Sequence, residues 1–338
     1  MNLDQDIKNF FDNKISMAPN LRSIELLAAA RDLILNGGKR ARPKLFKLTY
    51  IAYGGKNIDK LDKLILAIEI YHQFLLIHDD IIDKDTIRYD GPNITGHYLK
   101  EFADIDDTIP ESMALLAGDL LYSFVYEIIL KDNYVKSDQK VEILQLICEI
   151  NEHVIYGQQL DTLNVKSLGS SISVDELLDI HAKKTALYSI KLPMRLAGIL
   201  LHINHKECQN IDIFAMLFGI YFQLSDDHSD YFNNKSAFNN RPKYRDYKQG
   251  KITYPIMTGL ELSDKKNQEF LYKNLGNKNL SKSSIQKVIS TLESCGAVQK
   301  STEIVNDYRD KTIEALNDLN IIEKFRPDFL ELINNLQV

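Results

Sequence analysis

The chain has 338 residues, of which 44% are hydrophobic and 26% charged, so it can bury a large core. A net charge of -6 at pH 7 gives no basic footprint for nucleic acid. No uncharged apolar stretch of 18 residues predicts a membrane span, and the first residues lack the basic and apolar regions of a secretory signal. Three widely spaced cysteines, without a CxxC pair, argue against a disulfide framework or a zinc site and suit a reducing cytoplasm.

The hydrophobic pattern predicts an all-α fold. Apolar residues recur at helical spacing almost throughout, and no sustained alternation bounded by turn residues predicts a sheet. Prolines and glycines are scarce (8 and 15), so nothing marks a linker and we predict one domain over residues 1–338. Gly37-Gly38 is expected to close one helix, and Ser173–Glu176 matches a capping box that opens another. The predicted helices cover residues 3–14, 20–36, 40–54, 58–83, 110–132, 138–164, 173–201, 208–233, 252–263, 266–275, 282–294 and 298–317, with a short one near the end.

One acidic pattern, Asp-Asp-x-x-Asp, occurs twice, as Asp79–Asp83 and as Asp226–Asp230. Each copy follows a strongly apolar run, residues 64–78 and 211–225, so its carboxylates are expected to emerge from the core. On a helix, the first and last aspartates of each copy lie one turn apart on the same face. A single copy could equally be a solvated acidic helix end, but two copies behind buried helices favour the mouth of a pocket.

Carboxylates gathered in this way repel one another and favour a hard cation. Mg²⁺ fits best, because it accepts one or two carboxylates, keeps several waters and takes its remaining ligands from substrate phosphates. Two such clusters facing each other would clamp a diphosphate between them.

Seven motifs in a fixed order carry a resemblance to a known family. They are Gly37–Pro43, His72–Asp83 with Arg88, Gly118-Asp119, Gly157-Gln158 with Asp161, Lys184-Thr185, Phe222-Gln223 with the second acidic motif, and Gly250–Pro255. Over nearly its whole length the chain resembles the trans-isoprenyl diphosphate synthases of the polyprenyl synthetase family. The resemblance implies an isoprenoid synthase fold, a large helical bundle around a central cavity, and a homodimer. It also implies condensation of isopentenyl diphosphate with an allylic diphosphate.

The resemblance assigns roles to the acidic and basic residues. Departure of the allylic diphosphate needs neutralisation of the developing charge, which metal ions and nearby cations provide. We expect Mg²⁺ as the cofactor, with three ions in the substrate complex, and Mn²⁺ as a substitute. Three aspartates are expected to bind the metal ions and three others to support them. The implied metal ligands are Asp79, Asp83 and Asp226, with support from Asp80, Asp227 and Asp230; the catalytic set adds Arg88, Lys184 and Lys251, which grip the allylic diphosphate.

Isopentenyl diphosphate keeps its C–O bond and does not release its diphosphate during the reaction. Its diphosphate therefore needs cationic side chains as ligands, without metal. By resemblance these are Lys39, Arg42 and His72. Read without the motif set, Lys39, Arg40 and Arg42 would be a solvated basic turn at a helix end. His72 would then be a core histidine. His72 lies seven residues before Asp79, nearly on the same face of a helix, which favours the site. Thr185, Gln223 and Arg241 complete the predicted substrate-binding residues.

Three departures from the family pattern stand out. Arg241 occupies the position of a usual lysine and keeps its charge in a planar fork. Tyr89 replaces an arginine that normally binds isopentenyl diphosphate. Its hydroxyl can donate one neutral hydrogen bond, which is weaker by roughly 1–2 kcal/mol than the charge-assisted bond of an arginine. The stretch after Pro92 is longer than usual, and its Asp104–Asp107 segment is expected to be a solvated loop.

Aromatic residues before the first acidic motif predict the product length. Phe74 and Tyr71 lie five and eight residues before Asp79, about 7.5 and 12 Å down a helix, whereas Leu75, four before, is only aliphatic. In the family this pattern resembles geranylgeranyl diphosphate synthases, so the expected product is C20, with C15 next. Two alternatives stay open: a terpene synthase-like enzyme that adds no isopentenyl unit, and a non-catalytic subunit of a heteromeric synthase.

Overall fold

The computed structural model describes residues 2–102, 104–106, 108–165, 172–232 and 243–335. Most of these residues are helical, and the sheet they form is an antiparallel hairpin of β1 (Ile87–Arg88) and β2 (Gly91–Pro92). The all-α prediction is therefore confirmed. The chain divides into two compact units, Met1–Leu146 with Leu196–His202 and Ile147–Arg195 with Ile203–Val338. One domain over residues 1–338 stays a prediction.

The first unit is built around a helix that is apolar on all sides. Its helices are α1 (Leu3–Ser16), α2 (Leu21–Leu35), α3 (Ala41–Ala52), a 3₁₀ turn (Ile58–Leu61), α4 (Asp62–Asp83), α5 (Ile94–Phe102) and α6 (Ile109–Leu130). Residues 64–71 of α4 are all buried, and α4 packs against α1, α3 and α6. Because each fully buried aliphatic side chain stabilises by about 1.5–3 kcal/mol, α4 is fixed firmly enough to present its last turn as a rigid platform.

Helix α5 lies where the sequence predicted a loop. Asn93 is buried at its start, and the Asn93 Oδ1 accepts a hydrogen bond from the Gly96 backbone N–H at 2.8 Å, which caps the helix. Ile94 and Tyr98 turn into the core. Beyond its end, Asp104 and Asp106 are exposed, as expected of a solvated loop, and Asp107 lies outside the described residues.

Helix α6 passes the length and hydropathy test for a membrane span, with a mean hydropathy of 1.6 over its most apolar window. Of that window, 44% is buried inside the protein, and α6 packs against α4 and α5. A single helix of this kind is weak evidence for a span, because core helices pass the same test.

The second unit is centred on the helix that carries the second acidic motif. Its helices are α8 (Val174–His181), α10 (His205–Phe232), α11 (Arg245–Gln249), α12 (Tyr254–Leu262), α13 (Lys265–Asn274), α14 (Lys282–Ser294), α15 (Ala297–Asn317), a 3₁₀ turn (Glu323–Phe325) and α16 (Arg326–Asn334). α10 packs against α12 and α15, and Phe214 meets Phe329 of α16 edge to face. The two remaining helices, α7 (Ser137–Leu163) and α9 (Leu192–Leu200), contain residues of both units.

A π-helical segment, Ala182–Lys191, interrupts the helix predicted over residues 173–201. The predicted capping box at its start is confirmed, since Ser173 and Glu176 satisfy each other's backbone N–H groups. At its end, the Leu192 N–H donates to the Leu187 carbonyl, five residues back. Pro193 follows in the first turn of α9, where the missing N–H of proline is tolerated. Such π segments are frequent at functional sites.

Candidate active site

The first acidic motif ends α4, and its middle carboxylate is engaged by the protein. Asp80 is 2% exposed and accepts from the Arg88 Nε at 2.9 and 3.0 Å, with a second bond from Arg88 Nη2. Burial raises the pKa of Asp80, and the Arg88 guanidinium opposes that shift. Asp79 and Asp83 are half-buried one turn apart, and the Asp79 Oδ2 lies 3.9 Å from Arg88 Nη2. The outer two aspartates of the motif therefore form its accessible face.

The β1–β2 hairpin positions Arg88 and its neighbour Tyr89. Ile87 pairs with Pro92 and Arg88 with Gly91, leaving a two-residue turn in which Tyr89 and Asp90 have φ of 54° and 63°. These values are strained for non-glycine residues.

The strained turn is stabilised by packing across to the basic segment. The Tyr89 ring lies so close to Gly37 that a Cβ there would come within 2.5 Å of the Tyr89 Cγ. The structure thus brings Tyr89 onto the Gly37–Arg42 turn, in which Lys39 is exposed and Arg42 half-buried. His72 is half-buried on α4.

The predicted chain-length residues belong to an aromatic cluster between α4 and α6. Tyr71 and Phe74 are buried with ring centroids 5.9 Å apart, and Leu75 is half-buried. Phe74 also stacks on Tyr122 at 4.7 Å, and the hydroxyls of Tyr122 and Tyr126 lie 2.5 Å apart. Tyr122 and Tyr126 belong to none of the sequence motifs. Only their spacing of four residues indicates that they are neighbours on one face of α6.

The second acidic motif is supported by a chain of polar contacts. Asp227 is 3% exposed, and its Oδ1 accepts from the Gln223 Nε2 at 3.0 Å. The Thr185 hydroxyl donates to the Gln223 Oε1 at 3.1 Å, so both predicted substrate-binding residues orient Asp227. On its other side, the His181 Nε2 lies 3.3 Å from the Asp227 Oδ2. His181, which is buried at the end of α8, was not predicted as a site residue because it belongs to no motif.

Asp226 is half-buried, and Asp230 is held in an environment crowded with carboxylates. The Asp230 Oδ1 accepts from the Tyr244 backbone N–H at 2.8 Å, while its buried Oδ2 accepts no hydrogen bond from the described residues. Burial, with Asp246, Asp226 and Asp227 nearby, raises the pKa of Asp230 to about 7. Burial likewise raises the pKa of Asp246.

Two lysines predicted to grip a diphosphate meet on one carboxylate. The Asp161 Oδ2 lies 2.6 Å from the Lys184 Nζ and 3.2 Å from the Lys251 Nζ. Lys184 belongs to the π segment, and Lys251 is aligned by an isolated β-bridge to Val165. Asp161 was part of a predicted motif, but no role was predicted for it. Arg241 lies outside the described residues.

The donors around both acidic motifs suit Mg²⁺. They are carboxylate oxygens, which a hard cation prefers, and the buried Oδ2 of Asp230 accepts no hydrogen bond from the described residues. Among the described residues no group of three or more His, Cys, Asp or Glu side chains is arranged to hold a metal by itself.

Known proteins resemble this chain in sequence and in fold. The profile of the Polyprenyl synthetase family matches residues 24–292. The chain is 28% identical to a short chain isoprenyl diphosphate synthase of Methanocaldococcus jannaschii, over 86% of this chain and 80% of that protein. It is 33% identical to a farnesyl diphosphate synthase of Haemophilus influenzae, over 72% and 79% of the two chains.

Among solved structures, a geranylgeranyl pyrophosphate synthase of Corynebacterium glutamicum, complexed with isoprenyl diphosphate and magnesium, has the same fold. It superposes with a TM-score of 0.90 over 99% of this chain and 96% of that one, at 21% identity.

Gly157→Ala is expected to destabilise the second unit. A Cβ at residue 157 would lie 2.5 Å from the backbone N of Lys184, so the π segment must shift, at a cost of about 1–3 kcal/mol. Thermal denaturation should show a melting temperature lower by several degrees. Gly91→Ala is the matched control, because its Cβ would meet nothing nearer than 3.9 Å. Equal melting temperatures for the two variants would contradict the close packing.

Asp230→Asn should change how stability depends on pH. With its pKa raised to about 7, Asp230 keeps its proton in the folded state, whereas the unfolded chain releases it near pH 4. The native enzyme therefore loses stability as pH rises from about 4 to 7, and asparagine removes that loss. Melting temperatures of both proteins are measured in EDTA between pH 4 and 7. The difference between the variant and the unmodified protein should increase in favour of the variant as the pH rises. Asp104→Asn, at an exposed position, should show no such trend.

Proposed function

As a member of the polyprenyl synthetase family this chain is a short-chain trans-prenyl diphosphate synthase, and we propose that its main product is geranylgeranyl diphosphate, with farnesyl diphosphate next. It joins isopentenyl diphosphate to an allylic diphosphate. The observation that carries the assignment of roles is the pair of lysines gathered on Asp161, in the unit that also bears the second acidic motif.

In the proposed mechanism, Lys184 and Lys251 stabilise the negative charge that develops as the allylic C1–O bond breaks. Bonds to a leaving diphosphate are stronger in the transition state than in the ground state, so such cations lower the barrier. The terminal alkene carbon of isopentenyl diphosphate then forms a bond to C1, which leaves a cation on the next carbon of the former alkene. Loss of a proton from C2 of the isopentenyl unit to the departed diphosphate forms the new double bond. The products are a prenyl diphosphate longer by five carbons and inorganic diphosphate.

Asp79, Asp83 and Asp226 would hold Mg²⁺, and we propose three ions in the complete substrate complex, with Mn²⁺ as a substitute. Magnesium supplies Lewis-acid neutralisation of the leaving diphosphate when bound. Asp80 and Asp227 support the neighbouring aspartates through their hydrogen bonds to Arg88 and Gln223. Arg88 as a ligand of the allylic diphosphate stays a prediction, since its guanidinium already pairs with Asp80.

Isopentenyl diphosphate is proposed to bind the Gly37–Arg42 turn, through Lys39 and Arg42, with His72. The Tyr89 ring against Gly37 supports a hydroxyl contact to the same diphosphate. A neutral tyrosine in place of a cation also favours the second candidate, an enzyme that ionises an allylic diphosphate and adds no isopentenyl unit. An assay with farnesyl diphosphate and Mg²⁺, with and without isopentenyl diphosphate, separates the two activities.

We further propose a cytoplasmic homodimer that binds no nucleic acid. Leu115 and Leu116 of α6 are 49% and 51% exposed, and Ile155, Tyr156 and Leu160 of α7 are also exposed. Apolar side chains exposed in groups are typical of surfaces that pair with another chain.

Asp79→Asn and Asp226→Asn should each lower kcat by several orders of magnitude. Each change removes a carboxylate charge but preserves side-chain shape, so the melting temperature should change little. EDTA should abolish turnover, and Mg²⁺ or Mn²⁺ should restore it. Asp104→Asn serves as the control, being an exposed aspartate far along the chain from either motif. Near-normal turnover in either variant would contradict the metal assignment.

Product length should depend on Phe74 together with Tyr122. Phe74→Ala opens a cavity that a longer tail can fill, so products should extend beyond C20. Because the Tyr122 ring stacks directly on Phe74, the double variant Phe74→Ala/Tyr122→Ala should give longer products than Phe74→Ala alone. Leu75→Phe should shift products toward C15.

Chromatography of the dephosphorylated products measures these changes. Tyr126→Phe, which removes a hydroxyl but leaves the ring, is the control and should keep the original product. An unchanged distribution of product lengths in both Phe74 variants would mean that the end of the prenyl tail does not lie against Phe74.

A further inference from the structure

Arg40 lies between Lys39 and Arg42 in the sequence, but its side chain is committed to the protein. The guanidinium donates to the Glu69 Oε1 at 2.7 Å, to the Asp4 Oδ1 at 3.0 and 3.2 Å, and to the Ile34 carbonyl at 2.6 Å. These partners belong to α4, α1 and α2, so one side chain ties three helices to the basic turn. The alternative of a solvated basic turn is wrong for Arg40, since its side chain is only 14% exposed.

The partner of Arg40 on α4 is deeply buried. The Glu69 side chain is only 2% exposed, in the middle of an apolar helix, and the fully buried Gln73 donates to the same Glu69 Oε1 at 3.0 Å. A buried carboxylate is tolerated only when it is paired and hydrogen-bonded. Glu69 therefore requires the Arg40 guanidinium at this one place, and the requirement fixes the course of the turn.

The backbone of the turn shows the same constraint. Arg40 has φ of 52°, in the left-handed region that non-glycine residues rarely adopt, and helix α3 begins at the next residue. Strain of this kind persists only where the surroundings over-determine the conformation. The hydrogen bonds of the Arg40 side chain to the buried Glu69 and to the Ile34 carbonyl provide that determination.

We propose that Arg40 is a positioning residue for isopentenyl diphosphate, held by Glu69 so that Lys39 and Arg42 are pre-arranged around its diphosphate. This inference rests on the proposed function, in which those two cations bind that substrate. Two carboxylates neutralise the charge of Arg40, so its contribution is geometric. Ordering a binding segment before the ligand arrives removes part of the entropic cost of binding.

Glu69→Gln tests the proposal, since it keeps the side-chain shape and an acceptor oxygen but removes the charge that holds Arg40. The KM for isopentenyl diphosphate should rise about fivefold to tenfold, while kcat and the KM for the allylic diphosphate stay within about twofold. Titration calorimetry with isopentenyl diphosphate alone should show the same loss of affinity, whether or not turnover is measured. Asp4→Asn is the control, because Asp4 is 61% exposed and its ion pair contributes little.

Equal affinity for isopentenyl diphosphate in Glu69→Gln and the unmodified protein would overturn the proposal, and so would an equal rise in both KM values. Arg40→Lys decides the matter if Glu69→Gln does not fold, because lysine keeps the charge near Glu69 but cannot reach three acceptors. The same selective loss of isopentenyl diphosphate affinity is expected there. If the unmodified protein binds isopentenyl diphosphate but forms no prenyl product, the proposed function is wrong. The calorimetric comparison of the variants still tests the role of Arg40.

Discussion

Both acidic motifs depend on one interaction, the pairing of a buried middle carboxylate with a partner from the same unit. Asp80 is satisfied by Arg88, and the Asp227 Oδ1 accepts from Gln223, while the His181 Nε2 lies 3.3 Å from the Asp227 Oδ2. An ionised carboxylate could not stay buried without such partners. Because these pairings anchor the helix ends, Asp79 and Asp226 are left half-buried on rigid backbone, where they can bind a cation without reorganising the chain.

A second principle is that charged groups proposed to act on diphosphates are restrained by carboxylates of the protein. Asp161 gathers two lysines, and Glu69 holds the arginine between two other cations. Carboxylates offset the mutual repulsion of cations before substrate arrives, which makes it less costly to keep them together. A diphosphate must then compete with Asp161 for the ammonium groups, so part of its attraction replaces an existing ion pair.

The features predicted from the sequence are those that leave a periodic or motif signal. The buried run of α4 is confirmed, since its residues 64–71 are all buried, whereas the run of α10 is only partly buried, with Ile213 57% exposed. The capping box at Ser173 is confirmed because its spacing is local. Helix α5 was missed because its nine residues are marked mainly by the Asn93 cap. The roles of His181 and Glu69 could not be predicted, since each depends on a partner far away in the chain that no pattern identifies.

The contact between Tyr89 and Gly37 couples the evolutionary fates of two distant positions. With the ring in place, any side chain at residue 37 would collide with it, so glycine is obligatory there. In a homologue with a small residue at the position of Tyr89, this steric constraint is absent and residue 37 could be replaced by a larger residue. The two positions should therefore covary, and a substitution tolerated in one lineage would be harmful when transplanted alone into another.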